Sequence, residues 1–64
     1  MPEYQIRVIE EKDELCRKLD ALGLFIDKGA VFPQLSTAEQ ARLRYQRLLM
    51  AGYLSVLTER IAAF

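Results

Sequence analysis

Sixty-four residues make at most one domain, and a chain of that size buries only about 60% of the surface its unfolded form exposes. One cysteine excludes an internal disulfide, the absence of histidine excludes a histidine metal site or triad, and nine acids against nine bases argue against a general coat for DNA or membranes. With 52% apolar residues and no covalent or metal staple, the chain is expected to bury its surplus against copies of itself.

The opening, MPEYQIRVIEEK, lacks the apolar core of a secretory signal. No apolar run approaches the roughly 20 residues of a transmembrane helix. Cys16 reads as a small packing residue, and its solitude fits a reducing, cytoplasmic setting. The first helix is predicted from about residue 4 to residue 26. Pro2 suits the approach to a helix start, and Glu3 suits the positive end of the helix dipole. Val8, Leu15, Leu19, Leu22 and Ile26 form one apolar stripe, with Lys12 in its middle. Glu3–Arg7, Asp13–Arg17 and Glu14–Lys18 are acid-before-base pairs one turn apart. Gly23 lies inside the pattern at a cost of about 1 kcal/mol relative to alanine, and is expected either to admit a neighbouring helix or to weaken the last turns.

Residues 27–36, DKGAVFPQLS, form the connection. Gly29 is expected to end the helix in a left-handed conformation, and Pro33 forbids its continuation. Val31, Phe32 and Leu35 are expected to fold back and plug the tip. The second helix is predicted from residue 37 to about residue 63, with Ser36–Glu39 and Thr37–Gln40 both at capping-box spacing. Its seam is read as Leu43, Met50, Tyr53, Leu57, Ile61 and Phe64, interrupted by Gln46. A second apolar set, Ala41, Tyr45, Leu48, Leu49 and Val56, runs beside it. One set can face the first helix; the other needs a second subunit or stays exposed. The fold class is therefore all-α: an antiparallel two-helix hairpin assembling into a helical-bundle homo-oligomer.

Charge is distributed unevenly. Residues 1–27 hold four bases against seven acids, and residues 38–64 hold Arg42, Arg44, Arg47 and Arg60 against Glu39 and Glu59. Opposite signs on antiparallel helices help to fix their pairing, and an arginine group can also receive an anion. Arg42, Arg44 and Arg47 read most simply as a solvated face, and Arg60 meets the negative end of its helix dipole. Lys12 must snorkel, pair with a carboxylate or bind an anion. Gln46 admits the same choice between a packed polar residue and a ligand contact. Tyr4 either caps the hydrophobic layer or, beside Arg7, offers a stacking ring next to a guanidinium, which suits a nucleobase next to a phosphate. Tyr53, on the seam, reads as core with its hydroxyl reaching a partner. Adjacent acids at Glu10, Glu11, Asp13 and Glu14 read as a solvated face. No Walker loop, glycine-rich cradle or zinc pattern is present, so neither an enzyme nor a cofactor is expected.

The segment RVIEEKDELCRKLDALGLFI, residues 7–26, resembles the first helix of short phage-encoded proteins. The later residues Phe32, Leu35, Glu39, Gln46, Met50, Tyr53, Leu57, Arg60, Ile61 and Phe64 are similar to their second helix. The likeness spans nearly the whole chain and extends to the helical-hairpin domain of phage anti-CBASS and anti-Thoeris sponges. It implies a cytoplasmic protein of the infected host that forms a multimer, typically a hexamer. Such a protein holds cyclic di- or trinucleotide immune signals at subunit interfaces without cleaving them. It also implies a stacking role for Tyr4 and a phosphate contact from Arg7, Lys12 or Lys18. Gln46, Tyr53 and Arg60 are further ligand candidates. Asp20 stands where the sponges carry a helix-one lysine, and Tyr4-Gln5-Ile6-Arg7 replaces their Tyr-Arg-acidic-Leu opening. The rival reading is a non-enzymatic interaction module docking a partner protein through the spare apolar face. A weaker one is a nucleic-acid adaptor using Arg42, Arg44 and Arg47.

Overall fold

A computed structural model describes residues 1–64 as two long helices, α1 (Glu3–Lys28) and α2 (Thr37–Ala62), joined through a single 3-10 turn at Phe32–Gln34. The helices pack side by side as an antiparallel hairpin measuring 46 × 16 × 14 Å. Each helix is slightly displaced from its predicted limits, within the fraying expected at helix ends.

α1 starts without a side-chain cap. The Pro2 carbonyl instead accepts from the Gln5 and Ile6 amides at 3.1 and 3.3 Å. The Ser36–Glu39 spacing sets the start of α2: Ser36 Oγ accepts from the Glu39 amide at 3.1 Å. Gln40, the other candidate partner, turns back into the connection and donates to the Leu35 carbonyl at 3.0 Å. Gly29 does not take the left-handed conformation expected of it; its φ and ψ are −71° and 137°. It is needed there for space, because a Cβ at Gly29 would run into the Phe25 carbonyl oxygen.

The tip is sealed by Phe32, which is buried, and Leu35, which is half-buried; Val31 stays exposed, so only part of the expected plug forms. Phe32 meets Phe25 edge-on at 6.1 Å, and the Arg44 guanidinium covers its ring at 5.0 Å. Along the seam Val8, Leu15 and Leu57 form the core, with Met50, Leu54 and Ile61 packed around them. Leu54 therefore takes the seam place assigned to Tyr53. Met50, Leu54, Leu57 and Ile61 advance by four, three and four, which keeps the row on one face. Stepping from Met50 to Tyr53 rotates the row away from α1.

Of the expected acid-before-base pairs, Glu3–Arg7 closes at 2.6 Å and Glu14–Lys18 at 3.9 Å, but Arg17 bonds Glu14 at 2.6 Å rather than Asp13. The opposite charges of the two helices meet in one bridge, Asp27–Arg47. No helix is long and apolar enough to cross a membrane.

Candidate functional site

Residues at alternating steps of four and three lie along one helical stripe, and Arg42, Gln46, Leu49, Tyr53, Val56 and Arg60 follow that spacing on α2. The stripe sits beside the packed seam, so it forms a flank of the hairpin. Tyr53 is 46% exposed at its centre, a correction to its expected burial. Tyr53 lines a shallow groove of about 460 Å³ together with Arg42, Tyr45, Gln46, Leu49 and Met50. It also lines a depression of about 260 Å³ to which α1 contributes Glu11, Glu14, Leu15 and Lys18. Tyr53 thus joins two hollows, one built by α2 alone and one by both helices.

Gln46 does not interrupt the seam as expected. It lies exposed on this flank, and its amide donates only to the Met50 sulfur at 3.8 Å. Sulfur is a weak acceptor, so the amide keeps its capacity for a stronger partner.

The cations are mostly committed. Arg42 donates to Glu39 at 2.8 Å, and Arg47 grips Asp27 with two bonds of 3.0 Å. Arg44 lies over Phe32. The three central arginines therefore have three separate partners and do not form one solvated basic face. The two-pronged grip of Arg47 holds the Asp27 carboxyl below its usual range, chiefly through the hydrogen bonding. Glu14 is lowered in the same way, first by its hydrogen bond to Arg17 and more weakly by Lys18. Lys12, Lys28 and Arg60 have no carboxylate within 4.0 Å. Of these, Arg60 belongs to the Tyr53 stripe.

The remaining sequence candidates fall in other places. Tyr4 stands at the open end of the hairpin, 58% exposed, with its ring edge-on to Phe64 at 6.0 Å. Arg7 turns its guanidinium to Glu3 rather than to the tyrosine face. That pair is exposed, and exposed pairs exchange partners at little cost. Lys12 is half-buried on the α1 stripe. It lies about 120° around α1 from Lys18, so the two lysines serve opposite sides of the hairpin. The structure brings together Lys18, Gln46 and Tyr53, with Arg60 on the same flank. It places Tyr4 and Arg7 at the open end and Lys12 apart from both.

Sequence reasoning missed the groove residues Arg42, Tyr45, Leu49 and Met50 as a group. The available signal was the four-three spacing from Arg42 to Arg60, which runs parallel to the seam and was masked by reading Tyr53 into it. No three histidine, cysteine or acidic side chains are grouped to hold a metal ion.

The model of the family described as Sequestin matches residues 2–63. The chain is 43% identical over 61 residues to an uncharacterized 7.5 kDa protein from the denB–rIIB intergenic region of Enterobacteria phage T4, a match covering 95% of this chain and 94% of the phage protein. No solved structure matches the chain.

Proposed function

The chain belongs to the Sequestin family, and from that premise we propose that it captures a cyclic di- or trinucleotide signal, intact, at interfaces between copies of itself. The family's name points to sequestration, and the phage relative supports a role during infection of a host cell. Removing a signal by capture requires affinity and stoichiometry, with no bond made or broken.

The observation that carries the reading is the exposed Tyr53, which lines two hollows, one shared with Gln46 and the other with Lys18. A cyclic dinucleotide presents flat bases and anionic phosphates. A tyrosine face stacks on a base for about 1–3 kcal/mol. The Gln46 amide offers a donor and an acceptor to a base edge, and Lys18 and Arg60 offer positive charge. Tyr4 and Arg7 provide a second aromatic and cationic pair at the open end, and Lys12 a third cation.

A shallow hollow covers too little of such a ligand, because small-molecule sites bury about 70–90% of what they hold. A second copy is required to close over it, which joins the binding function to assembly. Calorimetry with a panel of cyclic di- and trinucleotides tests the reading. Saturable heat with one member is expected, followed by recovery of unaltered ligand when the protein is denatured. Silence across the panel, at concentrations where the protein is assembled, overturns it. The exposed apolar row of α2 would then favour the second reading, a helical module that docks a partner protein.

A further inference from the structure

α2 has apolar residues on two faces. The inner row, Met50, Leu54, Leu57 and Ile61, meets α1. The outer row, Tyr45, Leu48, Leu49 and Val56, is open to solvent, and Leu48 is 67% exposed. Gly52 lies in the middle of this outer row, and a Cβ added there would meet nothing within 4 Å. A helix face with a glycine at its centre and bulky residues on either side lets a second helix approach most closely at the glycine.

The folded chain leaves 4743 Å² accessible. A compact monomer of its mass exposes about 4,200 Å². The surplus is roughly 500 Å² per chain, or about 1,000 Å² for a pair, which reaches the lower limit of a specific interface.

We propose that the occupant of this face is the α2 of a second copy, antiparallel and crossing at Gly52, and that the pairing completes the Tyr53-flank groove with Arg60 of the second copy. Antiparallel pairing about Gly52 sets each residue opposite the one equally distant on the other side. Leu48 meets Val56 of the second copy, so apolar residues face each other twice. Tyr45 meets Glu59, a phenol opposite a carboxylate. The two-fold axis of such a pair keeps both grooves on the same side of the helix plane. Arg60 of the second copy then arrives beside Tyr45 and Gln46, close to Arg42 of the first. Arg60 of the second copy brings a cation without a carboxylate partner to a groove where Arg42 is already paired with Glu39, and an anion bound there can bridge the two guanidiniums. The ligand that fits is an aromatic ring carrying phosphate, taken up at two equivalent places per pair. The pairing is argued from the apolar face alone, whereas this ligand consequence rests on the sequestration reading above.

Cysteine cross-linking and sedimentation test the proposal, with Cys16→Ser as the background. Gly52→Cys is expected to give a covalent dimer on mild oxidation. Leu48→Cys mixed with Val56→Cys is expected to give a heterodimer faster than either forms a homodimer, which a parallel arrangement would reverse. Gly52→Arg is expected to weaken self-association roughly tenfold or more. Helicity by circular dichroism checks that it folds, since the added side chain points into open space. Cross-linking with parallel register, or assembly unaffected by both Gly52→Arg and Leu48→Arg, overturns the pairing. Arg60→Ala should leave the dimer intact and weaken binding of a cyclic dinucleotide at least tenfold; unchanged affinity overturns the composite groove. A dimer that forms as described yet binds no cyclic nucleotide refutes the sequestration reading and leaves the pairing in place. Nucleotide binding by a strict monomer refutes the pairing and the interfacial placement of the ligand, and leaves only capture itself in place.

Discussion

On one flank of the hairpin, Arg47 crosses from α2 to α1, grips Asp27 with two 3.0 Å bonds, and lies over Gly23. On the other flank, Tyr53, Gln46 and Arg60 stand in the corresponding position with only a sulfur contact among them. The first flank ties the two helices together within one chain through that ion pair, which fixes how far one helix slides along the other, while Lys28 beside it has no carboxylate partner. The second has aromatic surface, an underused amide and an unpaired cation, and gains free energy only from something outside the chain. In a hairpin with four buried side chains, the ion pair that links the helices and the proposed recognition surface thus lie on opposite sides of the same two helices.

The contrast can be broken at its base by removing the seam both flanks depend on. Leu57 is fully buried between them, and Leu57→Ala is expected to cost about 2–5 kcal/mol. For so small a domain that is enough to abolish most helical signal in circular dichroism at room temperature. Tyr53→Ala sharpens the division. It should leave the melting temperature nearly unchanged and weaken nucleotide binding by about 1–3 kcal/mol in calorimetry. A large fall in melting temperature would instead place Tyr53 in the packing.

Gly23→Ala probes the ion-paired flank in the favourable direction. The new methyl would touch the end of the flexible Arg47 side chain at 3.4 Å, an ordinary contact. Helix propensity should then raise stability by about 1 kcal/mol, read from a urea midpoint. Asp27→Asn has the smallest expected effect, and its test is pH. The Asp27 carboxyl is depressed in the folded state, so its contribution is present above the ordinary carboxylate range and is lost as pH falls through the depressed value. Wild type should lose more melting temperature than Asp27→Asn across that acid window. Glu14, depressed by Arg17, keeps part of the acid sensitivity in both proteins.

The hairpin was legible because two long amphipathic stretches bracket Gly29 and Pro33, and those features act locally. Ser36 as the cap was one of two choices, decided when Gln40 found carbonyls in the turn. The placement of Tyr53 was not legible. Tyr53 and Leu54 are neighbours, both apolar enough for a seam, and the phase of the row depends on which the partner helix accepts. The arginines were hidden for a related reason. Which of several nearby acids or rings each one reaches is settled by side-chain geometry across the turn or across the seam. Arg17 choosing Glu14, and Arg44 choosing the Phe32 face, are examples. Gly29 showed the right residue for a different cause, crowding at a carbonyl rather than an unusual φ.

The contact between the Tyr4 and Phe64 rings means that both ends of the chain emerge together, at the pole opposite Phe32. An affinity tag or fluorophore fused to either terminus therefore crowds the same aromatic corner, and shifting it from one terminus to the other gives no relief. Val31, exposed at the far pole some 46 Å along the rod, is the better attachment point for a reporter meant to leave the ligand candidates undisturbed.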